Sequence, residues 1–194
     1  MPSQIKGTAI QTYLDWLRAK LPPPQVAEIL AALPGTTRTV VLEQLLPSSQ
    51  YSYVLYEELL EAGKAVLGDA YDRLAFDHGR YAADALLTGV YRSTLKAGDV
   101  ERTLQSLARG WRIYFDSGEI QITEEKPGRY VFVILDAMYH PLHPTISAGY
   151  VQRACELAGG TSVRVDARGS PPRIEMVITW SPAPSSAGPD GPGP

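Results

Sequence analysis

The sequence predicts an α+β domain: an N-terminal helical layer packed on a small antiparallel sheet made of two hairpins separated by a helix. Three observations carry this. Up to Phe115 the apolar residues recur at three- and four-residue spacing. Beyond Ser117-Gly118 the period drops to two, in two strand pairs that each surround a turn rich in Pro and Gly. The last helical stretch, Pro144 to Leu157, lies between these pairs and does not alternate with single strands, which is an α+β order and not a βαβ one.

Taken in order, Ile10, Tyr13, Leu14 and Leu17 share one face of a first helix that ends at Leu21-Pro22-Pro23-Pro24. Pro24 suits the first turn of a second, short helix lined by Val26, Ile29, Leu30 and Leu33 and closed by Pro34-Gly35. A third short helix is expected over Val40, Val41, Leu45 and Leu46, stopping at Pro47, after which Ser48 or Ser49 can cap a long helical region from near Tyr51. That region breaks at Gly68-Asp69 and resumes to Leu87, followed by a short helical segment over Tyr91 to Lys96. Asp99 is placed to cap the helix that continues through Trp111 to Phe115. Lys126-Pro127-Gly128 is the turn of the first hairpin, between Glu119–Thr123 and Arg129–Leu135. Gly159-Gly160 ends the intervening helix, and Ser162–Asp166 pairs with Arg173–Trp180 around Gly169-Ser170-Pro171-Pro172. Residues 1–180 read as one domain with core positions at Leu14, Leu30, Leu59, Leu74, Leu86, Leu107, Trp111, Phe132, Val151 and Trp180. Residues 181–194, without a large apolar side chain and dense in Pro and Gly, read as a disordered tail.

A chain of 194 residues suits a single domain with a substantial core. The net charge of −3 and the scatter of Lys and Arg argue against nucleic acid as a partner. One cysteine, Cys155, excludes an internal disulfide and any paired-cysteine metal site. No apolar run approaches the length of a membrane span, and the amphipathic start lacks the apolar core of a signal peptide, so a soluble, cytoplasmic protein is expected.

The order of several short motifs adds a resemblance over nearly the whole chain. They are Gly7, Leu46-Pro47-Ser48-Ser49, Gly79-Arg80-Tyr81, Gly89-Val90-Tyr91-Arg92, and Trp111-Arg112-x-Tyr114 with Asp116-x-Gly118. Gly149-Tyr150, Glu156-Leu157-x-Gly159-Gly160 and the terminal Trp180 complete the set. In this the chain resembles a family of uncharacterised, domain-length proteins abundant in myxobacteria. That family is similar in outline to vinyl-reductase-type small-molecule-binding domains, to domains linked to haem-based nitric-oxide sensing, and to a subunit family of the TRAPP vesicle-tethering complexes. The resemblance implies a binding or assembly module, in some members enclosing an apolar ligand between helices and sheet. The chain departs from its relatives in the last hairpin, where they often carry cysteines around a Gly-Asp-Pro turn and this chain has none.

Candidate binding residues come from two patterns. Ala75, Gly79 and Ala83 recur every four residues and leave a shallow groove on one helix face; close helix packing is the favoured reading and a channel for a flat or acyl ligand the other. The chain has 11 tyrosines, a residue that needs a partner for its hydroxyl when buried, and Tyr91, Trp111 and Tyr114 form the group best placed to line a pocket. An aromatic stripe at helical spacing also serves simply as core. His140 and His143 form an HxxH pair, but two prolines hold it in a loop, and zinc wants a third ligand that is absent nearby. His78 is distant in sequence. A haem needs one axial histidine, yet the Tyr-x-Ser-x-Arg pattern of haem nitric-oxide sensors is missing; Tyr91-Arg92-Ser93 resembles it only superficially. No cofactor or metal is therefore expected. Gly-x-Ser-x-Gly and phosphate-binding glycine loops do not occur, and Cys155 has no adjacent base, so no enzymatic activity is expected.

The resulting expectation is a non-enzymatic binding or interaction module in signalling or assembly, taking a protein partner or an apolar small molecule and self-associating as a dimer. The alternative is a haem- or lipid-type ligand sensor with an enclosed pocket. An enclosed cavity at Tyr91, Trp111 and Tyr114 separates the second from a filled interior with an exposed apolar patch.

Overall fold

The computed structural model describes residues 3–136 and 139–181. The expected tail lies outside the described residues except Ser181, which ends the final strand. Among the described residues the order is β1 (Gln4–Lys6), α1 (Gly7–Lys20), α2 (Pro23–Ala31), α3 (Gly35–Thr39), a π-helical turn (Val40–Gln44), β2 (Gln50–Ser52), α4 (Tyr53–Leu67) and α5 (Ala70–Leu87). A 3₁₀ turn (Arg92–Thr94), α6 (Val100–Tyr114), β3 (Glu119–Lys126), β4 (Arg129–Leu135), α7 (His143–Leu157), β5 (Thr161–Ser170) and β6 (Arg173–Ser181) follow. This is the α+β arrangement the changing periodicity predicts. None of these helices is long and apolar enough to cross a membrane.

The helices before α5 build the first of two main cores. Ile10, Tyr13, Leu14 and Leu17, at helical spacing, are buried on α1 together with Trp16, and they meet Leu59 and Leu60 of α4 and Tyr71 of α5. Three-residue strands β1 and β2 pair antiparallel, Ile5 opposite Tyr51, and hold the chain start against the entry to α4. Here the structure differs from the sequence expectation. The third helix begins earlier, at Gly35, and loosens into the π turn where it was expected to be regular. Neither Ser48 nor Ser49 caps α4, because this stretch is tied to the first turn of α1 by Gly7 N–H to Ser49 O (2.8 Å) and Thr8 N–H to Pro47 O (3.0 Å). Tyr51 Oη reinforces the tie, donating to Gln44 O and accepting from Leu46 N–H.

The second core lies under the sheet, whose strand order is β3-β4-β6-β5 with every neighbour antiparallel. The hairpins are joined through β4 and β6. Alternate side chains of those two strands face one way, and they stand directly opposite in register: Tyr130 with Ile178, Phe132 with Met176, Ile134 with Ile174. Val100 and Leu104 of α6 and Val151 and Cys155 of α7 cover this ladder. Asp99 caps α6 as its position predicts, Oδ1 accepting from Arg102 N–H at 2.9 Å. Of the expected core positions, Leu14, Leu59, Leu86, Phe132 and Val151 are buried, whereas Leu30, Leu74, Leu107, Trp111 and Trp180 are half-buried at the margins of the clusters.

Helix α5 joins the two cores by crossing α7 at very short range. A Cβ on Gly79 would lie 2.0 Å from Ile146 O, and one on Gly149 would lie 2.1 Å from Phe76 O. No side chain fits at either position, so glycine here sets the distance between the helices. Beside the crossing, Arg80 grips Glu156 through both guanidinium Nη atoms, each 2.8 Å from a carboxylate oxygen. Arg153 links Glu156 (3.1 Å) to Asp84 (2.8 Å), so the ion-pair ladder clamps both helices.

Candidate ligand-binding cavity

A cavity of about 140 Å³ lies between the helices and the inner face of the sheet. Ile5, Ala9, Thr12 and Tyr56 line one side of it. The floor is the strand ladder, with Phe132, Ile134 and Met176; α5 contributes His78, Ala82 and Leu86; α7 contributes His143, Ile146, Ser147, Tyr150 and Val151. The aromatic wall comes from α6 and the residue after it, with Leu107, Trp111, Tyr114 and Phe115. Trp111 stacks on Phe115, centroids 4.2 Å apart and planes at 28°. Its indole is oriented by Nε1–H donating to Ser117 O at 2.8 Å.

The polar groups gather where α5 crosses α7. His143 and Ser147 are one turn apart on α7, and His78 precedes Gly79 on α5. The His143 Nε2 lies 2.6 Å from Tyr53 Oη, which fixes that ring. His78 is only 3% exposed, its ring 5.0 Å from those of both Tyr13 and Trp16, and its Nδ1 has no hydrogen-bond partner among the described residues. Burial drives its pKa down to about 3, and neighbouring His143 adds to the effect, so the imidazole is neutral at ordinary pH. The hydroxyls of Tyr114 and Tyr150 are also buried; they interact electrostatically without reaching hydrogen-bond geometry. Burial raises both phenols, Tyr150 to about 12. Among the described residues no Lys, Arg, Asp or Glu lines the cavity. It is a largely apolar, uncharged compartment with a few polar groups, suited to holding an uncharged molecule.

The structure distributes the sequence candidates unevenly. Trp111 and Tyr114 line the cavity. Tyr91 stands behind Tyr114, rings 4.9 Å apart, with its hydroxyl 3.4 Å from Thr8 Oγ1. Gly79 turns to the α7 crossing, Ala75 packs in the first core and Ala83 packs near Ala154, and none of the three is among the lining residues. Ala82, their neighbour, is the small residue of α5 that faces the space. The two histidines of HxxH diverge: His140 Nε2 lies 2.8 Å from Glu61 Oε1 and its Nδ1 accepts from Leu142 N–H, while His143 turns inward. Among the described residues no three His, Cys, Asp or Glu converge as a metal site would require. Sequence reasoning set His78 apart, although Leu74, His78, Ala82 and Leu86 fall every four residues on one stripe, a polar group within an apolar face.

No family model and no curated protein matches the chain. Solved structures do. An Fe(II) unliganded H-NOX protein from K. algicida superposes with a TM-score of 0.70 at 13% identity, over 91% of this chain and 97% of its own. The chain has the H-NOX fold. An oxygen-binding H-NOX domain related to soluble guanylate cyclases, in its oxygen complex, matches with a TM-score of 0.68 at 10% identity, covering 91% of this chain and 95% of that one. A further H-NOX structure, from work on haem distortion in that family, gives 0.71 at 10% identity over 92% and 97% of the two chains. The agreement spans the helical half and the sheet alike and accords with the haem-nitric-oxide-sensing outline among the resemblances.

An H-NOX fold raises the question of haem, and the residues of this cavity do not fit one. Its volume of about 140 Å³ falls well below the ~300–1,000 Å³ of pockets that enclose larger ligands and cofactors. Helix α6 supplies no histidine, and His143 is held by Tyr53. Among the described residues no Lys or Arg lines the space to receive the two propionates of a haem.

Proposed function

We propose that the chain is a ligand-sensing domain that holds a small apolar molecule directly in this cavity, with no haem between protein and ligand. The observation that carries the reading is the cavity itself. Its volume of about 140 Å³ is close to the ~150 Å³ of an engineered protein cavity that stays dry and binds benzene or xenon. The residues around it come from α1, α4, α5, α6, α7 and both sheets, so occupancy bears on the packing of helices against strands. The role is binding and not catalysis.

Native mass spectrometry of the purified chain, then of the same sample unfolded and extracted, tests this. An adduct that survives gentle ionisation and leaves on unfolding is the expected result, with the Soret band of added haemin unshifted from that of free haemin. A stoichiometric Soret band with a shifted maximum would overturn the haem-free reading. A bare chain mass in a dimer would favour the interaction-module alternative. That reading has one observation of its own: Leu46, Val54 and Val90 are large apolar side chains left 59%, 50% and 68% exposed.

A further inference from the structure

We propose that the ligand is a neutral, flat aromatic molecule of one or two rings with a single hydrogen-bonding group, its ring against Trp111 and Phe115 and its polar group at His78 and Ser147. This rests on the cavity reading above and adds the chemical class. Size sets the first limit, since about 140 Å³ takes a small ring system and not an extended acyl chain. Charge sets the second. A carboxylate or ammonium entering here would give up its hydration with no counter-charge in the lining. The low pKa of His78 means that the imidazole does not supply that charge either.

Shape and polarity set the rest. The Trp111–Phe115 stack presents rigid aromatic surface that a planar ring meets in offset or edge-on geometry and a saturated chain does not exploit in the same way. The glycine crossing brings α5 and α7 together at Gly79 and Ile146, and the residues beside these, His78 and Ser147, both line the space. His78 Nδ1 has no partner among the described residues, and the Ser147 side chain lines the same cavity. A neutral imidazole and a hydroxyl each both donate and accept, so one polar substituent on the ligand is enough to engage this corner.

Isothermal titration of the full chain with four probes tests the inference: indole, its carbocyclic analogue indene, indole-3-carboxylate and decanoate. Indole is expected to bind, with indene about tenfold weaker for the lost hydrogen bond and neither anion binding. Ala82→Phe, which fills the α5 wall, is expected to abolish indole binding. Ser147→Ala is expected to weaken indole about tenfold and leave indene unchanged. Should Ala82→Phe fail to fold, the Ser147 variant decides. Equal affinity for indole and indene would overturn the polar-corner assignment, and so would an equal loss of both in Ser147→Ala. Tight binding of decanoate or indole-3-carboxylate would overturn the ligand class while leaving an occupied cavity. If no probe binds and the native spectrum shows only bare chain, this inference and the cavity reading both fall.

Discussion

Replacing Gly79 by alanine sets two quantifiable effects against each other. Alanine in a helix interior is favoured over glycine by about 1 kcal/mol, so an unconstrained site would be stabilised. Against this, the new Cβ would stand 2.0 Å from Ile146 O and 2.8 Å from Tyr150 N, both backbone atoms of α7. A rotamer change cannot relieve contact with backbone, so the two helices must separate by about an ångström or more. Overpacking of this kind costs about 1–3 kcal/mol, and a helix-to-helix backbone clash belongs at or above the upper end. The net expectation is a loss of about 2 kcal/mol, a fall in Tm of roughly 4–8 °C for a chain of this size. Gly149→Ala should behave alike, its Cβ 2.1 Å from Phe76 O. Because either change opens the same crossing, the double variant should cost less than the sum of the two. Gly35→Ala, whose Cβ would meet nothing within 4 Å, is the control and should leave stability unchanged or raise it. Urea and thermal denaturation followed by circular dichroism read all four. A Gly79→Ala protein as stable as the parent would refute the argument that contact at this crossing sets the spacing.

Three further outcomes follow from the electrostatics and capping. The Arg80 guanidinium leads in holding Glu156 down to about 2 from 4.5, so its contribution is present above pH 4.5 and is lost as pH falls towards 2. Glu156→Gln should cost about 1–3 kcal/mol at neutral pH and flatten the acid limb of the stability profile; an unchanged limb would show that the ladder is not coupled to folding. His78 titrates near 3 folded and 6.5 unfolded, so the unfolded state gains the proton first. Its contribution should fall by about 1.4 kcal/mol per pH unit as pH drops below 6.5, and His78→Phe should show a shallower slope between pH 6.5 and 5 than the parent. Asp99→Ala should lower stability by about 1 kcal/mol, while Asp99→Asn, which retains an acceptor, should lose much less.

The sequence shows most of this fold because its elements are written in local periodicity. The ladder Tyr130, Phe132, Ile134 is a period-two pattern, and Asp99 precedes α6 as a capping residue should. What it conceals is set by distant contacts. Strands β1 and β2 span three residues each and exist through pairing across the intervening helices, with no pattern long enough to announce them. The π turn after α3 departs in the same way from the regular helix that Val40 to Leu46 suggests. For the cavity, Trp111 and Tyr114 were legible as an aromatic pair, while the role of Gly79 was not. A small residue admits either a ligand or another backbone, and only the partner helix tells which. His143 and Ser147 entered through the fold, since a loop histidine and a helix serine carry no mark of facing inward.

The two outer strands of the sheet bear on how the molecule behaves in a crowded solution. β4 and β6, rich in branched and aromatic side chains, are each paired on both sides, whereas β3 and β5 are the outer strands among the described residues. Glu119, Glu124, Glu125 and Lys126 stand exposed along one edge and Arg164, Asp166 and Arg168 along the other. The pairing register slips between Glu124 and Lys126 and again between Thr161 and Arg164. Charge and irregularity are the means by which a strand edge is made a poor template for another strand. Both edges of the sheet are thereby poor starting points for sideways growth into ribbons or fibres.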